Sequence, residues 1–189
     1  MTSPFDARPI IVAVAGPNGA GKTTFFHAHL APAGLRFVNA DDLARELGVG
    51  AREGAALAGR VRRALIEQRE SFVFENVFSD PVGDKLALLR RAAARGYTVV
   101  LCFIGVNGPE LSEERVAMRV LQGGHDVPHE KLAARYPRTL QNLARAIDEL
   151  PHVLVFDNSD LAHPFRQVAQ FESGTAVMEA DPPAWLPRR

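Results

Sequence analysis

Cysteine is almost absent, with one residue, Cys102, in a chain of 189. No internal disulfide can therefore form, and a lone thiol fits a reducing compartment. An excess of charge is missing too, since 22 basic residues face 22 acidic ones. That balance removes any general attraction to nucleic acid or to an anionic membrane surface. No apolar run nears the roughly 20 residues of a membrane-spanning helix. The opening MTSPFDARP also has no apolar stretch of the kind a secretion signal needs. A cytoplasmic protein with neither nucleic-acid nor membrane partners is expected. Repeats and low-complexity linkers are lacking, so residues 1–189 read as one domain, and a 47% hydrophobic composition suffices for a substantial core.

What the chain does hold is AGPNGAGKTTFF, residues 15–26, directly after the apolar run IIVAVA. Gly16, Gly21, Lys22 and Thr23 fall in the register G-x-x-x-x-G-K-[ST]. Such a loop turns backbone N–H groups inward around an oligophosphate, its lysine reaches the β- and γ-phosphates, and its hydroxyl ligates Mg²⁺. Gly16, Pro17, Asn18, Gly19, Ala20, Gly21, Lys22, Thr23 and Thr24 thus form the predicted ATP-binding segment, with Thr23 as the metal ligand. The context agrees: Ile10 to Ala15 reads as a buried parallel strand, and a helix near residues 22–31 points its positive dipole end at the loop.

Strand-like runs then alternate with helical patterns. The strands are read at Ile10 to Ala15, Arg36 to Asn39, Phe72 to Glu75, Thr98 to Ile104 and Val153 to Asp157. Helices are read near 22–31, 41–47, 52–70, 81–95, 110–121 and 129–150. This alternation predicts an α/β fold of the P-loop NTPase and kinase type, with a parallel five-stranded sheet and helices on both faces. Cys102, inside YTVVLCFIG, reads as a small core residue. FRQVAQFESGTAVMEA, interrupted at Ser173-Gly174, predicts a β-hairpin, and DPPAWLPRR an irregular tail, both within about 165–189.

In such sheets ligands gather at the carboxyl ends of the strands. Three strands end in VNADDLA, FVFENVFS and VFDNS, and each delivers an acid there. Asp41, Glu75 and Asp157 are candidates for deprotonating an acceptor hydroxyl and for serving Mg²⁺. Asp41 or Asp42 could equally cap a helix. Farther on, Arg115 and Arg119 share one helix face, Gly123-Gly124 breaks that helix, and Arg135 and Arg138 share a face of the next. Two arginine-bearing helices over about 110–145 could close as a lid that neutralises charge on a transferring phosphoryl group. With 19 arginines against three lysines, arginine is this chain's default cation, and the same residues also read as solvated, salt-bridged helices.

In this order, GPNGAGKTT, VNADDLA, FVFENVFS, RVLQGGHDVPHEKLAARYPRTLQNL and VFDNS resemble the zeta-toxin family of P-loop kinases, from about Ile10 to Ser159. The Gly-Gly-His-x-Val-Pro segment followed by Arg-Tyr is more specific than the phosphate loop. The resemblance implies a kinase that uses ATP and Mg²⁺ to phosphorylate a hydroxyl of a UDP-activated amino sugar such as UDP-N-acetylglucosamine, with an antitoxin as restraining partner. It implies Lys22 and Thr23 as phosphate and magnesium ligands, Asp41 as catalytic base, and Arg119 and Arg135 on the transferring phosphates. Glu75 falls in the acceptor pocket, joined by Asn39, Asn76 and His125, and Asn158 falls on the nucleotide side. ENVFS departs from the Glu-x-Thr stretch of the family's sugar site, with Val77 in the threonine's place. A non-toxin kinase of another small metabolite and a nucleotide-gated ATPase or binding module are the alternatives. An ABC-type ATPase would need a Leu-Ser-Gly-Gly-type signature and a strand ending in Asp-Glu, and the sequence has neither.

Overall fold

The computed structural model describes residues 3–121 and 128–188. Its first five strands are β1 (Ile10–Ala15), β2 (Arg36–Val38), β3 (Phe72–Asn76), β4 (Thr98–Gly105) and β5 (His152–Asp157), each within one residue of the sequence reading. They lie parallel in the order β2-β3-β1-β4-β5. β1 is central: Ile11 pairs with Phe72 of β3 on one side and with Val99 of β4 on the other. Its six residues are all buried, with Ile11, Ala13 and Ala15 facing one core and Ile10, Val12 and Val14 the other. A strand covered on both faces has no polar side to present, so IIVAVA runs apolar without alternation.

Among the described residues, six α-helices cover the two faces. α1 (Lys22–Phe25) runs on as a π-helical turn, Phe26–Leu30, and is followed by α2 (Ala40–Leu47), α3 (Ala51–Glu67), α4 (Asp84–Ala94), α5 (Gly108–Leu121) and α6 (His129–Glu149). The widened turn seats consecutive Phe25 and Phe26 in the core together with Leu30, and Phe26 stacks on Phe37 of β2 with centroids 3.7 Å apart. Leucines and alanines of α3, α4 and α6 fill the opposite face around Phe72, Phe74 and Phe103. The connection from β1 to β2 passes over β3, whereas that from β3 to β4 crosses β1 the other way. The carboxyl ends of β1 and β3 therefore flank the crevice where such sheets bind ligands.

The expected five-stranded sheet is in fact a seven-stranded one. β6 (Arg166–Glu172) and β7 (Thr175–Glu179) form the predicted hairpin, and β6 pairs antiparallel with β5. Ser173 and Gly174 have φ of 47° and 84°, the double left-handed geometry that lets a two-residue turn follow strand twist. Val153 and Val155 of β5 are fully buried, and an open ladder at that strand would leave backbone groups unpaired beside the core. The hairpin closes it.

The tail is irregular but packed. Trp185 lies over Gly105 so closely that a Cβ there would come within 2.1 Å of the indole, and Trp185 Nε1 donates to Asp157 Oδ1 at 3.1 Å. Trp185 is only 7% exposed. We expect Trp185→Ala to lower unfolding free energy by about 3–5 kcal/mol, the usual range for a buried tryptophan, as measured by denaturant titration. A loss below about 1 kcal/mol would mean that the tail merely rests on the surface.

Candidate functional site

The loop from Gly16 to Gly21 leaves the end of β1 and is fastened on several sides. Gly16 has φ of 144°, and a Cβ there would stand 2.0 Å from Ile104 O, so only glycine fits. Ser112 Oγ, on α5, donates to Asn18 O at 2.6 Å, and Asn158 Nδ2, just past β5, donates to Ala20 O at 2.9 Å. Asn158 Oδ1 in turn accepts from Phe165 N at 3.3 Å. The side chain assigned to the nucleotide thus holds the loop that would receive it. Arg115 Nη1 and Nη2 donate to Asn158 O at 2.6 Å and Ser159 O at 3.0 Å. Its guanidinium is thus occupied by backbone carbonyls beside the loop.

Asp157 is likewise not a free acid. Its Oδ1 accepts from Ser159 N, Ser159 Oγ and Trp185 Nε1, and Arg166 stands 3.7 Å from Oδ2. Asp41 and Glu75 are placed differently. Thr23 Oγ1 donates to Glu75 Oε2 at 2.7 Å, and Asn39 Nδ2 reaches the same oxygen at 3.3 Å. Asn39 Oδ1 accepts from the backbone N–H of Asp41 at 2.8 Å and of Asp42 at 3.4 Å, so Asn39 caps α2. The aspartates are released from capping. Asp42 pairs with Arg45 at 2.6 Å, and the Asp41 carboxylate joins neither the cap nor that pair.

Lys22 is buried, and its Nζ donates to Pro17 O at 2.9 Å. Burial holds its pKa below the ordinary lysine value; the Glu75 charge opposes that shift, Arg119 adds to it and Asp41 opposes it. Glu75, Arg119 and Asp41 therefore stand within electrostatic reach of the loop lysine. Arg135 sits half-buried on α6, one residue before Tyr136, whose hydroxyl donates to Val106 O at 2.7 Å and accepts from Gly108 N at 3.0 Å. The Gly123-Gly124 break and His125 lie outside the described residues. Sequence reasoning missed Ser112, the backbone role of Arg115 and the Tyr136 anchor. All three act on main-chain carbonyls or amides, which leave no pattern in the sequence.

Two observations bear on what the site can hold. Asn18 Oδ1 and both polar atoms of Asn76 are shielded from solvent yet have no hydrogen-bond partner. Buried polar atoms are normally paired, so the Asn76 amide at the end of β3 fits a polar ligand group, and Asn18 Oδ1, an acceptor, fits a donor on a bound ligand. Thr23 and Glu75 offer hard oxygens, and the described residues contain no cluster of three or more His, Cys, Asp or Glu. That sparse set suits Mg²⁺, which takes few protein ligands and completes its shell with phosphates and water.

The zeta-toxin sequence profile matches residues 37–167, well over half of the chain. No curated protein matches. Among solved structures, the AvrRxo1-ORF1:-ORF2 complex with ATP is similar at 20% identity and a TM-score of 0.71, over 93% of this chain and 62% of the other. The chain thus spans less than two thirds of that relative. The PezAT chromosomal toxin-antitoxin system of Streptococcus pneumoniae matches at 16% identity and a TM-score of 0.61, over 94% of this chain and 75% of the other. A protein of Chloroflexus aurantiacus designated a kinase matches at 20% identity and a TM-score of 0.54, over 81% and 90%. Structural likeness at identities this low shows a shared α/β fold, and the profile match, over more than half of the chain, shows the family: this chain belongs to the zeta-toxin family of P-loop kinases.

Proposed function

We propose that the protein is an ATP-dependent kinase that phosphorylates a hydroxyl of a UDP-activated amino sugar, UDP-N-acetylglucosamine or a close relative, and is the toxin of a toxin-antitoxin pair. The observation that carries this reading is the position of Asp41. Asn39 caps α2 in its stead, leaving an acid within electrostatic reach of the loop lysine, on the strand edge that also presents Glu75. The similar PezAT protein comes from a toxin-antitoxin system, and the similar AvrRxo1 complex holds ATP, which supports an antitoxin partner and ATP as donor.

In this mechanism the loop amides and Lys22 hold the β- and γ-phosphates, and Asp41 takes the proton of the acceptor hydroxyl as its oxygen bonds to the γ-phosphorus. The bond from that phosphorus to the β–γ bridging oxygen breaks, and ADP leaves. Mg²⁺, held through Thr23, would neutralise charge on the phosphates. Arg119 meets the charge that spreads over the equatorial oxygens, while Glu75 and Asn76 form the acceptor side.

Asp41→Asn is expected to fold and melt like the wild type and to bind ATP with Mg²⁺. Asparagine cannot accept the proton, so transfer should fall by on the order of 10². Asp42→Asn should lose only its exposed pairing with Arg45, a minor effect. Steady-state kinetics with a panel of UDP-sugars, nucleosides and small cofactors would read both. Equal, small losses would return Asp41 to a structural role, and ATP turnover indifferent to every acceptor would favour a nucleotide-gated binding module. Wild type expressed without an antitoxin should halt bacterial growth, whereas Asp41→Asn should not.

A further inference from the structure

α3 and α4 enclose a cleft of about 510 Å³ that contains no residue of the phosphate loop and neither Asp41 nor Glu75. Arg60, Arg62 and Arg63 line it from α3, Lys85 and Arg91 line it from α4, and Asp84 is the one acid among its walls. A smaller space of about 190 Å³ continues it past Arg63 and Arg91, adding Arg95 and Glu67. Cations outnumber acids throughout. None of Arg60, Arg62, Arg63, Lys85 or Arg91 takes part in an ion pair among the described residues.

Arg62 is the informative member. It is 5% exposed, its guanidinium lies 5.1 Å above the Phe74 ring, and its Nε has no hydrogen-bond partner. Arg63 Nη1 and Arg62 Nη2 converge over Gly59, 3.7 Å and 3.8 Å from where a Cβ would stand. A larger residue there would narrow the space between the two forks. Burial and the neighbouring Arg63 charge both work against the charged form of Arg62. Two like charges side by side, one of them withdrawn from water over an aromatic ring, form an arrangement that an anion would stabilise.

We propose that the α3–α4 cleft binds a small anion carrying two phosphate groups, separately from the nucleotide on the phosphate loop. The volume is that of a small-molecule site. Cations stand on opposite walls, a pair of guanidinium forks on α3 and an ammonium with a guanidinium on α4, which provides one set for each phosphate.

Calorimetric titration of the full chain with inorganic pyrophosphate tests this directly. Wild type should show two sites, the loop and the cleft. Lys22→Ala should weaken only the first, so loss of the loop site is read separately from loss of the cleft. The double variant Arg63→Gln/Arg91→Gln changes exposed side chains alone and should weaken the second site at least tenfold with an unchanged melting temperature. Arg62→Leu, which keeps apolar cover over Phe74, should do the same. Tighter binding of a nucleoside diphosphate than of pyrophosphate at the cleft would identify a nucleotide as the source of the phosphates; equal binding would identify inorganic polyphosphate. Unchanged stoichiometry and affinity in the double variant would overturn the proposal. So would a glutamate-rich peptide that occupies the cleft when pyrophosphate does not.

Discussion

Lys22→Ala is expected to cut phosphoryl transfer by on the order of 10³ or more while the fold survives. The ammonium is buried at the start of α1 and shares its surroundings with Glu75 and Asp41, so it balances acids as well as phosphates. Its removal leaves the β- and γ-phosphates facing two carboxylates with one cation fewer. The fold should tolerate the change, because Lys22 makes one hydrogen bond, to Pro17 O, and burial already disfavours its charge. Single-turnover assays beside thermal melts would separate the two effects. Turnover near the wild-type rate would remove the loop from the chemistry and with it the kinase reading.

Arg119→Ala should lower turnover by a similar factor, on the order of 10³, the low end for arginines that stabilise phosphoryl transfer. α5 carries Arg119 four residues after Arg115, whose bonds to Asn158 O and Ser159 O fix the helix against the nucleotide edge. Ser112, three residues earlier, ties the same helix to Asn18 O. The helix is thus anchored at two points, and the next exposed turn brings Arg119 within reach of Lys22. Arg119→Lys should recover little, because an ammonium lacks the planar fork that holds two oxygens. Arg135→Ala, the second arginine that the family resemblance implies, should lower turnover by a comparable factor. Wild-type rates for Arg119→Ala would make that residue part of the solvated surface.

Much of the architecture is legible in the sequence because each strand has its own local signal. β1 and β4 are continuous apolar runs, and Ser173-Gly174 marks a tight turn through the left-handed geometry it requires. The docking of the hairpin on β5 is not local: the alternation in FRQVAQFE fits a free ribbon as well as a sheet edge, and only the need to close the β5 ladder decides. The cap of α2 was undecidable for a related reason. Asn39, Asp41 and Asp42 are all good capping types within four positions, and the backbone geometry of Asn39 selects it. Helical periodicity groups Arg115 with Arg119 but says nothing of which one meets backbone carbonyls. The Trp185 contact with Gly105 joins residues far apart in sequence and shows only in three dimensions.

The central place of β1 has a consequence for synthesis. It precedes both of its partners in the chain, Phe72–Asn76 on one side and Thr98–Gly105 on the other. Six uncharged, apolar residues, IIVAVA, must therefore wait unpaired while dozens of later residues are added. A segment of that composition is a template for association between nascent chains. Production of the protein should therefore be most sensitive to the speed of translation before β3 is complete.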